Sequence, residues 1–450
     1  MHWITVVIFI IGLLNATFKL ISSDTDQFLD RTTIVYASAS TTFVDCTCRI
    51  LRHHSGLDTK GAYPCLPLAA GKVWQCLYLL LLLGASICCI AGSPAQRPSP
   101  RILNIQSLGS TTSNLPNIYR DGGGGGKING INFIIFSDSL YTSGGVPKSD
   151  NSNLVNFSSN SLAASNYDGR AIQSLFDFGT TQKGPKQQIP YYYDGGENDF
   201  TTAIWPNQGI ATLCGGICGV SFPSVINRTA ISAGQDSRSV LYNTPIQISL
   251  TAFGPVVTRP TQRLFIRGEP LFGGFGTLVG TDGYLYLFAT ITKTADSNGL
   301  KMARVRQHSF ADRSQYQYWN GNSWSSKMPA YADGGAANIF SYSQEFLGIL
   351  YGPGTGDLFY STYLGQYVLM FQADDPAIDR NVYVSYSAAV DRGWSTPRAI
   401  YQTSTLPGGY SYSFHAYPNY DSSGRVIPLS WSEYAPPNTY IISMASLTFA

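Results

Sequence analysis

The chain has 450 residues, of which 44% are apolar, 13% aromatic and only 12% charged. Its 29 Lys and Arg residues nearly balance 27 Asp and Glu residues, so the formal charge of +2 excludes the broad basic surface of a nucleic-acid-binding protein. The apolar content also excludes an intrinsically disordered chain. The 45 Gly, 29 Tyr and 23 Phe residues favour strands and turns.

Two apolar segments stand out in the first 100 residues. Residues 3–14 are too short to span a bilayer and resemble the apolar core of a signal peptide. Residues 73–91 are long enough to span, yet a preceding Lys and a small-residue end also fit a secretory signal. We therefore expect residues 1–100 to be a targeting or anchor region outside the fold. One hypothesis places the true start near residue 72, the upstream part being an error of gene prediction.

The same features predict the location of the protein. It is expected to be secreted, or membrane-anchored if residues 73–91 are retained, with membrane contact through this segment alone. The Asn-X-Ser/Thr triplets at Asn156 and Asn227 fit glycosylation of an exported chain. Cys214 and Cys218, in the run CGGIC, are expected to form a disulfide. The alternative is a free or metal-binding pair, but no second Cys or His pair lies nearby to complete a zinc site.

From about residue 110 onward the pattern is strand, turn, strand, without a convincing amphipathic helix. The predicted strands include INFIIFSDS, IATLC, GVSFPSVI, TPIQISLTAF, GTLVG, YLYLFATIT, DLFYSTY, YVLMFQAD, NVYVSYSAAV, RVIPLSW and YIISMASLTF. Many short strands with regularly spaced turns predict an all-β sandwich, barrel or propeller.

Internal similarity selects among these folds. Residues 316–331 and 383–401 both contain an aromatic strand, a polar turn and a Trp-Ser pair, and Trp324 and Trp394 are about one blade apart in sequence. We therefore predict a β-propeller of about five blades over residues 103–450. The last strand is expected to pair with an early strand, which would remove an exposed sheet edge.

Two aspartates are predicted to face each other across a hairpin. The sequence RDGGGGGKINGINFIIFSDS contains Asn129-Gly130, the strongest signal for a two-residue hairpin turn. If this pair is the turn, residue 128 faces residue 131, and the same register places Asp121 opposite Asp138. Side chains in such facing positions have Cβ atoms about 4.5–5.5 Å apart.

Such a pair suits acid–base chemistry. Like charges in a shared site raise one pKa, so that one carboxyl group donates a proton while its neighbour stays ionised. Glycoside hydrolysis needs that combination. The glycine run is expected to leave room for a ligand against the backbone. The alternatives are ordinary turn or capping roles, a bulge that turns one carboxylate away, or a calcium site, although no D-x-D-x-D-G loop occurs.

At these residues the chain resembles a known family. RDGGGGGKINGINFIIFSDS, YYYDGGENDFTTAIWPNQGI, RGEPLFGGFGTLVGTDGYLYLFATIT, NGLKMARV, YGPGTGDLFYSTY and YSYSFHAYPNY together resemble fungal members of the domain-of-unknown-function 4185 family. That family looks related to glycoside hydrolase family 183, a β-propeller family whose bacterial members include endo-acting D-arabinofuranan hydrolases. The resemblance covers about residues 103–450.

The resemblance also implies a site. In the bacterial enzymes an Asp-Gly-type loop and a Gly-Asp-Thr-type strand end carry the two acids, and Asp121 and Asp138 match these positions. Ser137 and Ser139 replace the flanking glycine and threonine of that pattern. Asp121 and Asp138 would thus be the acid and the base or nucleophile, with their order open.

Four further residues are candidate substrate ligands, each with a structural alternative. Glu197 lies in a DGGENDF loop, where a solvated turn is the alternative. Trp205 is either a stacking platform for a sugar ring or part of a blade core. Glu269 either orients a catalytic Asp or pairs with Arg267. His415 is either a substrate donor or a core histidine bonded to backbone.

The sequence therefore predicts a monomeric glycosidase that cleaves a furanoside-containing, arabinan-like polysaccharide. The alternatives are a carbohydrate-binding propeller without catalysis and a structural cell-wall protein. No cofactor, resident metal or nucleic-acid partner is expected. Motifs of serine hydrolases, dinucleotide-binding proteins and P-loop proteins do not occur in the chain.

Overall fold

A computed structural model describes most of the chain after residue 99. The described residues are 100–450, apart from 168–171, 180–183, 207, 234–238, 293, 295–296 and 437, together with the backbone of three strands near the N-terminus. The chain divides into two compact units, Met1–Gln96 and Arg97–Ala450.

The first unit holds a small antiparallel sheet. Its strands are Thr5–Gly12, Asn15–Ser22 and Val35–Ser38. The apolar segment predicted at residues 73–91 lies outside the described residues. In the described part of the chain, no helix is both long and apolar enough to cross a membrane.

The second unit is built from strands, which confirms the all-β prediction. Nearly all the strand pairs are antiparallel. Among the described residues the helical segments are one short α-helix, Arg228–Ser232, and four 3-10 turns at Tyr193–Gly195, Cys214–Gly216, Gln307–Ser309 and Arg313–Gln315. Asn227 caps the α-helix, since its side-chain oxygen accepts hydrogen bonds from the backbone N–H groups of Thr229 and Ala230.

Five sheets form the body of this unit, and we number them I to V along the chain. In hydrogen-bonded order, sheet I contains Thr112–Ser113, Ile172–Asp177, Ser161–Tyr167, Ile131–Phe136 and Gly124–Ile128. Sheet II contains Ala211–Leu213, Cys218–Ser221, Ile246–Thr251 and Gly254–Thr258. Sheet III contains Gly276–Val279, Tyr284–Ile291, Gly299–Arg306, Gln317–Trp319 and Trp324–Ser325, with Asn338–Ser341 also paired to its third strand. Sheet IV contains Pro353–Ser361, Gln366–Ala373, Asn381–Ser387 and Arg398–Gln402. Sheet V contains Tyr410–Ala416, Val426–Ala435, Thr439–Phe449 and Ile102–Ser110.

Three smaller sheets extend this body. The first consists of Ile118–Arg120, Ser139–Thr142 and Leu154–Ser158. The second consists of Thr202–Trp205, Ser224–Asn227, Val240–Asn243 and Phe265–Ile266. The third is a hairpin of Gln344–Phe346 and Ile349–Tyr351.

One strand of each main sheet contacts its counterpart in the next sheet. These inner strands are Gly124–Ile128, Ala211–Leu213, Gly276–Val279, Pro353–Ser361 and Tyr410–Ala416, and each contacts the next in this order. Hydrogen bonds then link the end of sheet V to sheet I, from the hydroxyl of Tyr417 to the carbonyl of Gly123 (2.6 Å) and from the hydroxyl of Tyr420 to the carbonyl of Phe133 (2.7 Å).

Apolar side chains fill the space between successive sheets. Each of five apolar clusters contains residues from two successive sheets, for example Ile135 and Ile248 (sheets I and II), Val220 and Leu285 (II and III), Phe288 and Phe371 (III and IV), Val384 and Trp431 (IV and V) and Met444 and Phe136 (V and I). Burying each side chain of this size stabilises the fold by roughly 1.5–3 kcal/mol. The core is therefore divided among the contacts between sheets.

The last strand of the second unit pairs with an early strand, as predicted. Thr439–Phe449 pairs antiparallel with Ile102–Ser110, so a strand from the start of the unit lies at the outer edge of the last sheet. This arrangement covers the backbone groups that Thr439–Phe449 would otherwise expose.

The two Trp-Ser segments do not occupy equivalent strands, so this part of the prediction is wrong. Gln317–Trp319 is the fourth strand of sheet III, whereas Asn381–Ser387 is the third strand of sheet IV. Trp324 and Trp394 instead pack in the same cluster between sheets III and IV. The similarity of the two segments therefore does not mark a repeated structural unit, although both tryptophans lie in the same apolar cluster.

Candidate active site

The Asn129-Gly130 turn has the predicted geometry. Both residues have left-handed backbone angles, with φ of 48° and 78°, as a type I′ hairpin requires. Ile128 faces Ile131, and the same register continues beyond the inner strand to the pair of Arg120 and Ser139. No net register shift separates the turn from these outer pairs.

Asp121 and Asp138 face each other within this register. The backbone N–H of Asp121 donates a hydrogen bond to the carbonyl of Asp138 (2.9 Å). Next to the pair, Gly122 and Gly123 have φ of 65° and 141°, backbone angles that side chains disfavour. The N–H of Gly122 donates to the hydroxyl of Ser432 (2.9 Å), which attaches this bend to sheet V.

The surroundings of Asp121 favour the protonated form of its carboxyl group. Its Oδ2 accepts a hydrogen bond from the hydroxyl of Tyr412 (2.9 Å), while its Oδ1 is buried and has no hydrogen-bond partner among the described residues. Burial, and next the negative charge of Asp138, hold the pKa of Asp121 well above its ordinary value. The hydrogen bond from Tyr412 and the charge of Arg228 only partly oppose this rise.

Asp138 has more support for its negative charge. Its Oδ1 accepts a hydrogen bond from the indole N–H of Trp205 (2.9 Å) and lies 3.6 Å from the guanidinium of Arg228. Burial raises the pKa of Asp138 to about 6, while the Arg228 charge and the Trp205 hydrogen bond limit the rise. The Asp138 side chain keeps 20% of its surface exposed, so it is accessible from solvent.

The two carboxyl groups thus differ in proton affinity. The surroundings therefore favour the protonated form of Asp121 and the ionised form of Asp138. One group can donate a proton to a bound molecule, and the other can attack it or accept a proton from water.

The glycine run allows neighbouring backbone to pack closely on its strand. A Cβ atom on Gly124 would lie 1.9 Å from the backbone carbonyl oxygen of Gln208, and one on Gly126 would lie 2.2 Å from that of Ile210. A Cβ atom on Gly125 would meet the ring of Tyr417 at 2.4 Å. Neighbouring segments therefore fill the side-chain positions of these glycines, and only Gly125 among the three also lines a cavity.

Glu197 and Glu269 are held in ion pairs apart from the aspartates. Both carboxylate oxygens of Glu197 bind the guanidinium of Arg259 (2.6 and 2.9 Å), and Tyr242 donates a third hydrogen bond (2.7 Å). Although burial opposes it, these hydrogen bonds lower the pKa of Glu197. Glu269 binds Arg313 through two hydrogen bonds (2.7 and 3.0 Å), and not Arg267. The structure brings neither glutamate to the aspartate pair.

The other predicted residues, namely Trp205, His415 and the cysteine pair, lie in three different parts of the structure. Trp205 contacts Asp138 directly, as described above. His415 is 1% exposed, and its Nδ1 lies 3.1 Å from Oδ2 of Asp357, which places it in the interior. Cys214 and Cys218 form the predicted disulfide.

Two residues that contact the aspartate pair, Tyr412 and Arg228, were not predicted from the sequence. Tyr412 lies in the aromatic run YSYSFHAYPNY, in which only His415 stands out by residue type, and Arg228 lies in one of the glycosylation triplets. Tyr412 is 291 residues from Asp121 along the chain, so no local spacing could connect them. Among the described residues, no three His, Cys, Asp or Glu side chains are grouped as metal ligands.

Comparison with known proteins gives a partial family match. Residues 256–443 match the model of a family described as a domain of unknown function (DUF4185). The match covers sheets III and IV and most of sheet V, and it does not include Asp121 or Asp138. No curated protein is similar in sequence to this chain.

Several solved structures are similar to the chain. A candidate hydrolase from Bacteroides ovatus has 15% identity, with 75% of this chain and 86% of that chain covered and a TM-score of 0.48. An endo-arabinase from Bacteroides thetaiotaomicron has 11% identity, with 76% and 97% covered and a TM-score of 0.41. An exo-β-1,3-galactanase from Phanerochaete chrysosporium has 12% identity, with 75% and 64% covered and a TM-score of 0.42.

Proposed function

We propose that this protein is a glycoside hydrolase that cleaves a furanoside-containing, arabinan-like polysaccharide. The observation that carries the proposal is the pair of facing carboxyl groups, Asp121 and Asp138. Their neighbours favour a proton on Asp121 and a negative charge on Asp138. Glycoside hydrolysis uses two such carboxyl groups on either side of the scissile bond.

Each aspartate has a defined task in this proposal. Asp121 transfers its proton to the glycosidic oxygen as the bond between that oxygen and the anomeric carbon breaks. The carboxylate of Asp138 either attacks the anomeric carbon or takes a proton from a water molecule that does so. If a covalent intermediate forms, water then hydrolyses it, and Asp121 recovers its proton from that water.

The fold proposal follows from the order of the sheets. We infer that sheets I to V are the five blades of a β-propeller, because their inner strands contact one another in order and hydrogen bonds join sheet V to sheet I. The proposal also includes kinship with fungal relatives of glycoside hydrolase family 183, to which the sequence resemblance points.

Export is a further part of the proposal. Disulfides form and persist in oxidising compartments, and the bond between Cys214 and Cys218 fits a secreted or membrane-anchored monomer. Its partner in that location would be a polysaccharide. Sequencing the mature N-terminus tests this: a start near residue 95 supports secretion, whereas retention of residues 73–91 supports an anchor.

The catalytic proposal is tested by release of reducing ends from a panel of arabinans and other furanosides. We expect the wild type to cleave at least one of them, and Asp121→Asn and Asp138→Asn to lose at least about a hundredfold in rate. Asp199→Asn, an exposed acid, is the matched control and should retain full activity. Hydrolysis that survives both site substitutions would refute the assignment, and binding without turnover by the wild type would favour a carbohydrate-binding protein.

A further inference from the structure

A cavity distinct from the aspartate pair lies among the inner strands. It has a volume of about 990 Å³ and is lined by residues from all five sheets or the turns that follow their inner strands, including Lys127, Thr212, Asp282, Tyr360 and Asn419. We call it the channel cavity. Its volume is at the upper end of the range of about 300–1,000 Å³ that is typical of small-molecule sites.

The aspartate pair lies before the strand whose later residues line the channel cavity. Asp121 precedes the strand Gly124–Ile128, whereas the lining residues Gly125 and Lys127 lie in the strand and Gly130 follows it. At about 3.3 Å per residue, the chain spans up to roughly 13 Å from Asp121 to Gly125 and up to roughly 30 Å from Asp121 to Gly130.

Packed backbone separates the two places. The carbonyl of Gln208 lies against Gly124, and the hydroxyl of Tyr417 donates to the carbonyl of Gly123 (2.6 Å). Neither aspartate lines the cavity. A molecule in the channel cavity would therefore not occupy the position where the bond is cleaved.

The lining combines aromatic surface with hydrogen-bonding groups. The rings of Tyr360 and Tyr367 pack edge to face at 5.1 Å, and Tyr360 is 46% exposed. The hydroxyl of Tyr286 donates to Asp282 (2.7 Å), which holds that carboxylate in place. The ammonium of Lys127 forms no hydrogen bond or ion pair with the described residues, so it is available to a ligand.

We propose that the channel cavity binds a neutral oligosaccharide and is a second saccharide-binding site of this protein. Sugars present apolar C–H faces to aromatic rings and hydroxyls that both donate and accept hydrogen bonds, and this lining offers partners for each. An anionic ligand would meet the carboxylates of Asp282 and Asp357 against the single ammonium of Lys127. An apolar ligand would leave these charged groups without partners.

The choice of sugar deepens the proposed function and rests on it. A polysaccharide hydrolase with a second site can hold one part of a long chain while another part lies at the aspartates, which raises the effective substrate concentration there. We therefore assign arabinofuranose oligosaccharides to the channel cavity.

The test titrates Asp121→Asn, which should not cleave, with arabinofuranose tetrasaccharides and hexasaccharides by calorimetry. We expect two binding events per chain. Adding Tyr360→Ala or Lys127→Met should weaken one of them by about tenfold or more and leave the other unchanged. Tyr363→Ala, an exposed tyrosine outside the cavity lining, is the matched control and should preserve both events. Thermal unfolding of each variant confirms that it is folded.

The outcomes separate this inference from the proposed function. One binding event that neither Tyr360→Ala nor Lys127→Met alters would overturn the second site, even if the wild type hydrolyses arabinan. If the wild type hydrolyses no furanoside but still shows a binding event that Tyr360→Ala weakens, the result supports the second saccharide-binding site and refutes the proposed function.

Discussion

Asp121 and Asp138 carry the same side chain, but different neighbours give them different proton affinities. One carboxyl oxygen of Asp121 accepts a hydrogen bond from Tyr412, and the other is buried without a partner among the described residues. Asp138 faces an indole N–H and a guanidinium, which both stabilise its anion. Trp205, Arg228 and Tyr412 therefore give the two carboxyl groups their different proton affinities.

Arg228 should set the acidic limb of the pH–activity profile. Activity should fall below about pH 6, as Asp138 becomes protonated. Because the Arg228 charge lowers the pKa of Asp138, Arg228→Gln should move this limb upward by about one pH unit. Arg228→Lys keeps the positive charge and should therefore shift the acidic limb by less. An unchanged limb in Arg228→Gln would contradict the role of this ion pair.

The raised pKa values also predict a stability effect. The folded protein holds these protons more tightly than the unfolded chain, so the free energy of unfolding should fall as pH rises from about 4 through 6 and beyond. Asp121→Asn removes the cost of holding this carboxyl group where its charge is disfavoured, so it should stabilise the protein at pH 7 and do so less at pH 4. Denaturant unfolding at both pH values checks this, and an equal effect at both would refute it.

At the level of single elements, the strand Gly124–Ile128 explains why the site forms where it does. Its glycines allow the backbones of Gln208 and Ile210 to pack directly on it, and the Asn129-Gly130 turn fixes its register. The site thus depends on a strand that contributes almost no side chains near the acids.

Gly124→Ala should destabilise the fold. The new methyl group would overlap the carbonyl of Gln208, so backbone must shift at a cost of about 1–3 kcal/mol or more. Gly144→Ala is the matched control, because a Cβ atom on Gly144 would meet no other atom within 4 Å, and it should change stability by less than about 0.5 kcal/mol. Equal unfolding free energies for both variants would contradict this packing.

The Asn129-Gly130 turn shows how much of the site could be predicted from sequence. A two-residue turn determines every facing pair along its hairpin, so the opposition of Asp121 and Asp138 followed from Asn129-Gly130 alone. Tyr412 reaches the pair from sheet V and Arg228 from the start of the α-helix, and only tertiary packing brings them there. Sequence could not show that backbone packs against most of the glycine run, because a strand without side chains accommodates a ligand or another backbone equally well.

At the scale of the whole molecule, the start and the end of the second unit meet in one sheet. Ile102–Ser110 pairs with Thr439–Phe449, and the side chains of Ile102 and Ile105 pack against the cluster between sheets IV and V. The last sheet therefore depends on a strand from the beginning of the unit.

Truncation should reveal this dependence. A chain that begins at Arg97 should unfold in one cooperative transition, because Arg97–Ala450 is a compact unit. A chain that begins at Thr111 lacks the Ile102–Ser110 strand and should lose several kcal/mol of stability and aggregate through the exposed edge of Thr439–Phe449. Calorimetry and light scattering check this, and equal stability of the two chains would contradict the role of the pairing.

The proposed roles, with Asp121 as proton donor and Asp138 as anion, differ in how they depend on the leaving group. The deciding measurement compares the cleavage rates of arabinan and of an aryl arabinofuranoside oligosaccharide whose phenolate leaves without protonation. Asp121→Asn should lose activity on arabinan and keep most of its activity on the aryl substrate, whereas Asp138→Asn should lose activity on both. Equal loss on both substrates in Asp121→Asn, or an aryl activity that survives in Asp138→Asn, would contradict these roles.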